Sequence, residues 1–231
     1  MPRLCIALDL DPDEALKLVK VLSVYPVVFK VGPVLFLKGG PDIIGRIKET
    51  GREVFLDLKV HDIPNTVGEV VSRADDLGVD YLTLHTLAGK EVLQEAVRRA
   101  GKVKLVGVTL LTSHDEKYLR FLKTGFGSVR DMVLHLSCLA KDAGLYGVVC
   151  SPLEVKAVKE LTGLFTVVPG VRISGRADDQ RRFSTPREAV RDGADMIVMG
   201  RDIYRSGDPE GVVRHVLESI GDREDFQGKG L

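Results

Sequence analysis

The segment from Glu53 to Thr66 reads Glu-Val-Phe-Leu-Asp-Leu-Lys-Val-His-Asp-Ile-Pro-Asn-Thr. Written as a strand of period two, it puts Phe55, Asp57 and Lys59 on one face and Val54, Leu56 and Leu58 on the other. The aliphatic set suits packing against outer helices, so the charged set faces inward, where an unpaired charge is costly. A structural ion pair would account for Asp57 and Lys59 taken alone. Two earlier apolar runs repeat the arrangement, however. Val27, Phe29 and Val31 share one face and leave Val28 and Lys30 on the other, and Ile6, Leu8 and Leu10 leave Ala7 and Asp9 inward. Three consecutive segments thus deliver Asp9, Lys30, Asp57 and Lys59 to the same end. Apolar residues of similar size would normally serve a core as well or better, so charges of alternating sign point to chemistry.

A second group fits an anion. The seventh apolar run continues into Pro169-Gly170-Val171-Arg172 and the eighth into Met199-Gly200-Arg201-Asp202. A glycine lets a ligand approach backbone N–H groups, and a guanidinium can grip phosphate through two bonds. One such pair is more often a turn and a surface cation, but two stand where barrels commonly bind phosphate. The stretch from Ile173 to Arg182 has almost no apolar content and no period. It is expected to be an exposed loop, either a solvated connector or a mobile lid, and its length favours the lid. His85 has inward parity but is more simply a structural histidine, and His61 is expected to pack or hydrogen-bond. His114 and His135 show no partner pattern.

Eight short β-branched runs position these residues: Leu4–Leu8, Val27–Val31, Val54–Leu58, Tyr81–Leu84, Lys104–Thr109, Gly147–Cys150, Phe165–Val168 and Met196–Met199. Each precedes a turn and a stretch of helical spacing. With 231 residues, a unit averages about 29, enough for a strand, a helix and two loops, which predicts a single-domain (β/α)8 TIM barrel over 1–220. Helix starts are marked at Asp11-Pro12, Pro41-Asp42, Gly127-Ser128, Ser151-Pro152 and Thr185-Pro186, with Asp11 expected to cap. The tail 221–231 has little apolar content and is expected to fray.

Composition narrows the possible functions. Lys+Arg 33 balances Asp+Glu 33, so no global positive field gathers nucleic acid or anionic lipid. No run approaches the ~18 apolar residues of a membrane span. Cys5, Cys138 and Cys150 fall in no CxxC or clustered spacing, which argues for a reducing cytoplasm and against a zinc site.

The residues together resemble the orotidine 5′-phosphate decarboxylase family, from Leu4 to about Ile220. The segment Asp57 to Thr66 is close to that family's DLKxHDIPNT signature. Supporting matches are Ala7-Leu8-Asp9, Phe29-Lys30-Val31-Gly32, Leu111-Thr112-Ser113, Val168 to Arg172, Asp179-Gln180 and Gly200-Arg201. Asp202 departs from the pattern, which commonly has proline there. The resemblance implies conversion of orotidine 5′-monophosphate to UMP and CO2 with no metal and no cofactor. It implies a homodimer in which Asp62, Ile63 and Thr66 reach the partner's site, with Lys30, Asp57, Lys59 and Asp62 as the charged network. Asp9 and Lys30 would orient the network and the ribose, and Thr112 or Ser113 would bond the pyrimidine, unless it only caps a helix. Pro169, Arg172, Gln180, Gly200 and Arg201 would complete the substrate site. Related barrels that decarboxylate or condense sugar phosphates share an Asp-x-Lys-x-x-Asp core but use magnesium, so a chelator would separate the two. A non-catalytic nucleotide-binding barrel would bind UMP without turnover.

Overall fold

A computed structural model of the chain describes residues 1–173 and 184–221. The eight apolar runs become strands β1 (Arg3–Ala7), β2 (Val27–Val31), β3 (Glu53–Val60), β4 (Tyr81–His85), β5 (Lys104–Val108), β6 (Gly147–Val149), β7 (Phe165–Val168) and β8 (Met196–Met199). Each pairs in parallel with the next, and β8 returns to β1, closing an eight-stranded barrel. Parallel neighbours need crossovers, and these are α1 (Pro12–Leu22), α2 (Pro33–Lys48), α3 (Pro64–Asp76), α4 (Lys90–Arg99), α5 (Glu116–Phe121), α6 (Val129–Ala143), α7 (Val155–Thr162), α8 (Pro186–Arg191), α9 (Arg201–Tyr204) and α10 (Pro209–Gly221). The (β/α)8 barrel expected from the sequence is therefore the observed fold. Gly221 closes α10, so the expected frayed tail lies, apart from that residue, outside the described residues.

Strand parity separates two cores. Val27, Phe29, Val31, Val54, Leu56 and Leu8 pack outward against the helices. Cys5, Ala7, Val28, Phe55, Tyr81, Val106 and Val167 fill the barrel axis, which is a packed interior rather than a pore. At the amino ends of the strands, Arg3 pairs with Glu53 and donates to the Tyr81 hydroxyl. The Lys104 ammonium lies 4.8 Å from the centroid of the Tyr81 ring, a cation–π contact.

Local signals met mixed outcomes. Thr185 forms the full capping box with Glu188, and Ser128 accepts the Asp131 N–H. Asp11 sits at the N-cap of α1 but makes no capping bond, because its carboxylate pairs with Lys38. α2 begins at Pro33, earlier than the Pro41-Asp42 signal, and that signal marks a kink at Gly40, whose φ of 59° suits glycine. Ser151 accepts the Leu153 N–H, and α7 itself begins only at Val155.

Candidate active site

The carboxyl ends of β1, β2 and β3 bring the four inward charges together. Lys30 Nζ lies 3.6 Å from Asp9 Oδ1 and 3.4 Å from Asp57 Oδ2, while Lys59 Nζ donates to Asp57 Oδ2 at 2.9 Å. Two ammoniums thus share one oxygen of a buried carboxylate. Lys59 has φ of 50°, and the β3–β4 register shifts between Leu56 and Val60. A positive φ on a side chain of this size is sparsely populated, so surrounding contacts must hold it. One of them is Thr83, fully buried on β4, whose Oγ1 accepts the Lys59 N–H at 2.8 Å and donates to Asp57 Oδ1 at 3.0 Å.

Pairing overrides burial at both partners. Burial disfavours the Asp57 carboxylate, but Lys30 and Lys59, with hydrogen bonds from Lys59 and Thr83, hold its pKa below the usual range. Burial likewise opposes charge on Lys30, and the carboxylates of Asp57 and Asp9 outweigh it, raising its pKa. Both groups are therefore ionised at neutral pH. His85 is pushed down to about 4, first by burial and then by His61, His114 and Lys59. Its Nδ1 accepts the Leu87 N–H at 3.4 Å, as suits a structural histidine.

Above the charges opens a cavity of about 270 Å³. Asp9, Lys30, Asp57 and Lys59 line one side, and Val108, Val149, Val167 and Val198 supply an apolar floor. Pro169, Gly170, Arg172, Gly200 and Arg201 line the rim above β7 and β8. Gly170 has φ of 79°, a conformation open to glycine, and a Cβ on Gly200 would press to 3.2 Å from that of Ala7. Arg172 Nη1 donates to Asp202 Oδ1 at 3.1 Å, and the Ile173 N–H to Asp202 Oδ2 at 2.9 Å. Asp202, where the sequence departs from the family pattern, thus ties the two rim loops together. A cavity with a cationic rim at one end and a Lys–Asp–Lys cluster at the other suits a flat polar molecule carrying a phosphate.

The other candidates divide. Thr112 lines the cavity and Ser113 does not. Asp62, Ile63 and Thr66 stand outside it at the start of α3; Asp62 accepts the Ile63 N–H at 2.7 Å, and the Ile63 side chain is 66% exposed. Gln180 and nearly all of the proposed lid lie outside the described residues. Among the described residues, no group of three or more His, Cys, Asp or Glu could hold a metal ion, and no helix is long and apolar enough to cross a membrane. Sequence reasoning missed Thr83. Its signal was its inward parity with Tyr81 and His85.

The family model described as "Orotidine 5'-phosphate decarboxylase / HUMPS family" matches residues 2–216. The chain belongs to that family. It is 44% identical over 230 residues to the orotidine 5'-phosphate decarboxylase of Aquifex aeolicus, covering 96% of this chain and all of the relative. The solved orotidine 5'-phosphate decarboxylase from Lactobacillus acidophilus superposes with a TM-score of 0.82 at 35% identity, covering 95% of this chain and 99% of that one. The enzyme from Methanocaldococcus jannaschii, solved with the inhibitor BMP, gives 0.79 at 29% identity, covering 95% and 99%. The chain is thus an enzyme of a decarboxylase family, and the family's barrel is the one described above.

Proposed function

We propose that this chain converts orotidine 5′-monophosphate to UMP and CO2 in pyrimidine synthesis, with no metal or cofactor taking part. The carrying observation is the Lys30–Asp57–Lys59 cluster facing the cavity, with Arg172 and Arg201 on its rim. Loss of CO2 leaves the bonding pair on C6 of the pyrimidine, a vinyl carbanion with no conjugating sink. Stabilisation must then come from positive charge already in place. At about 3 Å and an effective dielectric near 20, one ammonium supplies on the order of 5 kcal/mol. Lys59 is that ammonium and gives its proton to C6, leaving a neutral amine that solvent reprotonates. Asp57 keeps Lys59 charged and in position, and its own charge repels the substrate carboxylate until CO2 departs.

The remaining side chains bind. Lys30 and Asp9 orient the ribose and the network, and Thr112 hydrogen-bonds the pyrimidine with Ser113 close by. Pro169, Arg172, Gly200 and Arg201 grip the phosphate dianion together with Gln180. Energy from that remote grip then raises the rate by closing the site and excluding water. The exposed stretch of Asp62, Ile63 and Thr66 reaches the site of a second copy in a homodimer, where Asp62 completes the charged network. The three free cysteines suit a cytoplasmic setting.

The test follows the ultraviolet absorbance of orotidine 5′-monophosphate with EDTA present, comparing the wild type with Lys59→Ala. Turnover by the wild type and a loss of about 10³-fold or more in the variant are expected. A folded wild type that is inert with EDTA and active on sugar phosphates with magnesium would overturn the proposal. UMP binding without turnover would point to a nucleotide-binding barrel instead.

A further inference from the structure

Both cations that neutralise Asp57 contact the same atom, Oδ2. They hold that oxygen and leave the other, Oδ1, to be held by something else. Oδ1 accepts from the Thr83 hydroxyl alone among the hydrogen bonds of the described residues. The same hydroxyl accepts the N–H of Lys59, the residue whose backbone occupies the left-handed region where the β3–β4 ladder breaks register. A hydroxyl has one proton to donate and lone pairs to accept, and here both capacities are used, on two adjacent members of one charged cluster. Thr83 has no exposed surface and does not line the cavity.

Resting on the function proposed above, we infer that Thr83 is a positioning residue for the decarboxylation. Through one hydroxyl it anchors the second oxygen of the Asp57 carboxylate and holds the backbone turn that aims Lys59 into the cavity. Valine matches threonine in shape and β-propensity and lacks only the hydroxyl, so it isolates the two bonds. Valine cannot make either bond. Asp57 Oδ1 and the Lys59 N–H would be left unpaired in a buried setting, and the strained turn would relax.

The decisive comparison is Thr83→Val against Thr83→Ser. In Thr83→Val, kcat for orotidine 5′-monophosphate is expected to fall about 10- to 100-fold while KM stays within about 3-fold, because the binding groups on the rim are untouched. The acid limb of the pH–kcat profile should also move. A hydrogen bond donated to a carboxylate favours its ionised form, so removing one raises the pKa and carries the limb to higher pH. The charged and titratable groups facing Asp57 are Lys30 from β2, Cys5 and Asp9 from β1 and its loop, and Lys59 from its own strand, all unchanged by the substitution. Thr83→Ser keeps the hydroxyl and should restore both kcat and the limb. A folded Thr83→Val with wild-type kcat and an unmoved limb would overturn the inference. Hydrogen exchange at the Lys59 amide of the wild type tests the clamp independently of folding in the variant and of substrate identity. Protection is expected, and exchange at the rate of an open loop would overturn the clamp even if the decarboxylase assignment holds.

Discussion

At the amino ends of β1 and β3, Arg3 meets Glu53, and at the carboxyl ends of the same strands Asp9 and Asp57 meet Lys30 and Lys59. Both clusters are ion pairs on a shared scaffold. In the lower cluster each side chain is about 30% exposed, one carboxylate meets one guanidinium, and aromatic rings cover the axial side. In the upper cluster one carboxylate, 12% exposed, carries two ammoniums on a single oxygen beside a left-handed lysine. Ion pairing alone therefore does not mark function. Burial, two ammoniums on one carboxylate oxygen and backbone strain do, and they concentrate where barrel enzymes place their active sites.

The largest effect should come from breaking the upper cluster at its centre. Asp57→Asn leaves Lys59 without its carboxylate partner and Lys30 with Asp9 alone, and kcat/KM is expected to fall by about 10³-fold. Removing one partner of a buried pair also destabilises by about 3 kcal/mol, so turnover is measured well below the variant's melting temperature. Near-wild-type kcat/KM would reduce this cluster to the same structural status as Arg3–Glu53.

A second contrast separates chemistry from binding within the same cavity. Arg201→Ala removes a rim cation and should lower kcat/KM for the phosphorylated substrate by about 10²-fold. With a substrate analogue that lacks phosphate, the same variant should match the wild type. An equal loss with both substrates would place Arg201 with the Lys–Asp–Lys cluster rather than with a phosphate grip.

The barrel and the three-strand convergence of charge were legible because both rest on simple periods. The strand ends expected from the sequence fall within a residue or two of those observed, and the inward parity of Asp9, Lys30, Asp57 and Lys59 follows from alternation. Alternation could not reveal the register shift that turns Lys59, since a bulge is a departure from that period. Nor could it distinguish Thr83 from a residue chosen for β-propensity. Partnerships distant in sequence were also invisible. Asp11 has the type and position of a cap, but Lys38 on a neighbouring helix takes its carboxylate, and the partnership of Asp202 with Arg172, 30 residues apart, leaves no mark in the sequence. Gly200 and Arg201, which line the cavity, stand out in the sequence because glycine and arginine together imply backbone approach and charge. A lone buried threonine carries no such signature.

The smallest effect belongs to the lower cluster. Glu53→Gln removes the carboxylate that pairs with Arg3 but keeps its shape, and Arg3 retains its bond to the Tyr81 hydroxyl. Partly exposed pairs are screened by solvent and contribute at most about 1 kcal/mol, so the melting temperature should fall by no more than about 2–4 °C for a chain of this size. kcat and KM should not move, because Glu53 and Asp57 lie roughly 13 Å apart along β3, with Phe55 between them in the axial core. A drop in kcat comparable to that of Asp57→Asn would show that the strand transmits strain from one end to the other. The two clusters would then form one electrostatic unit rather than a support and a site.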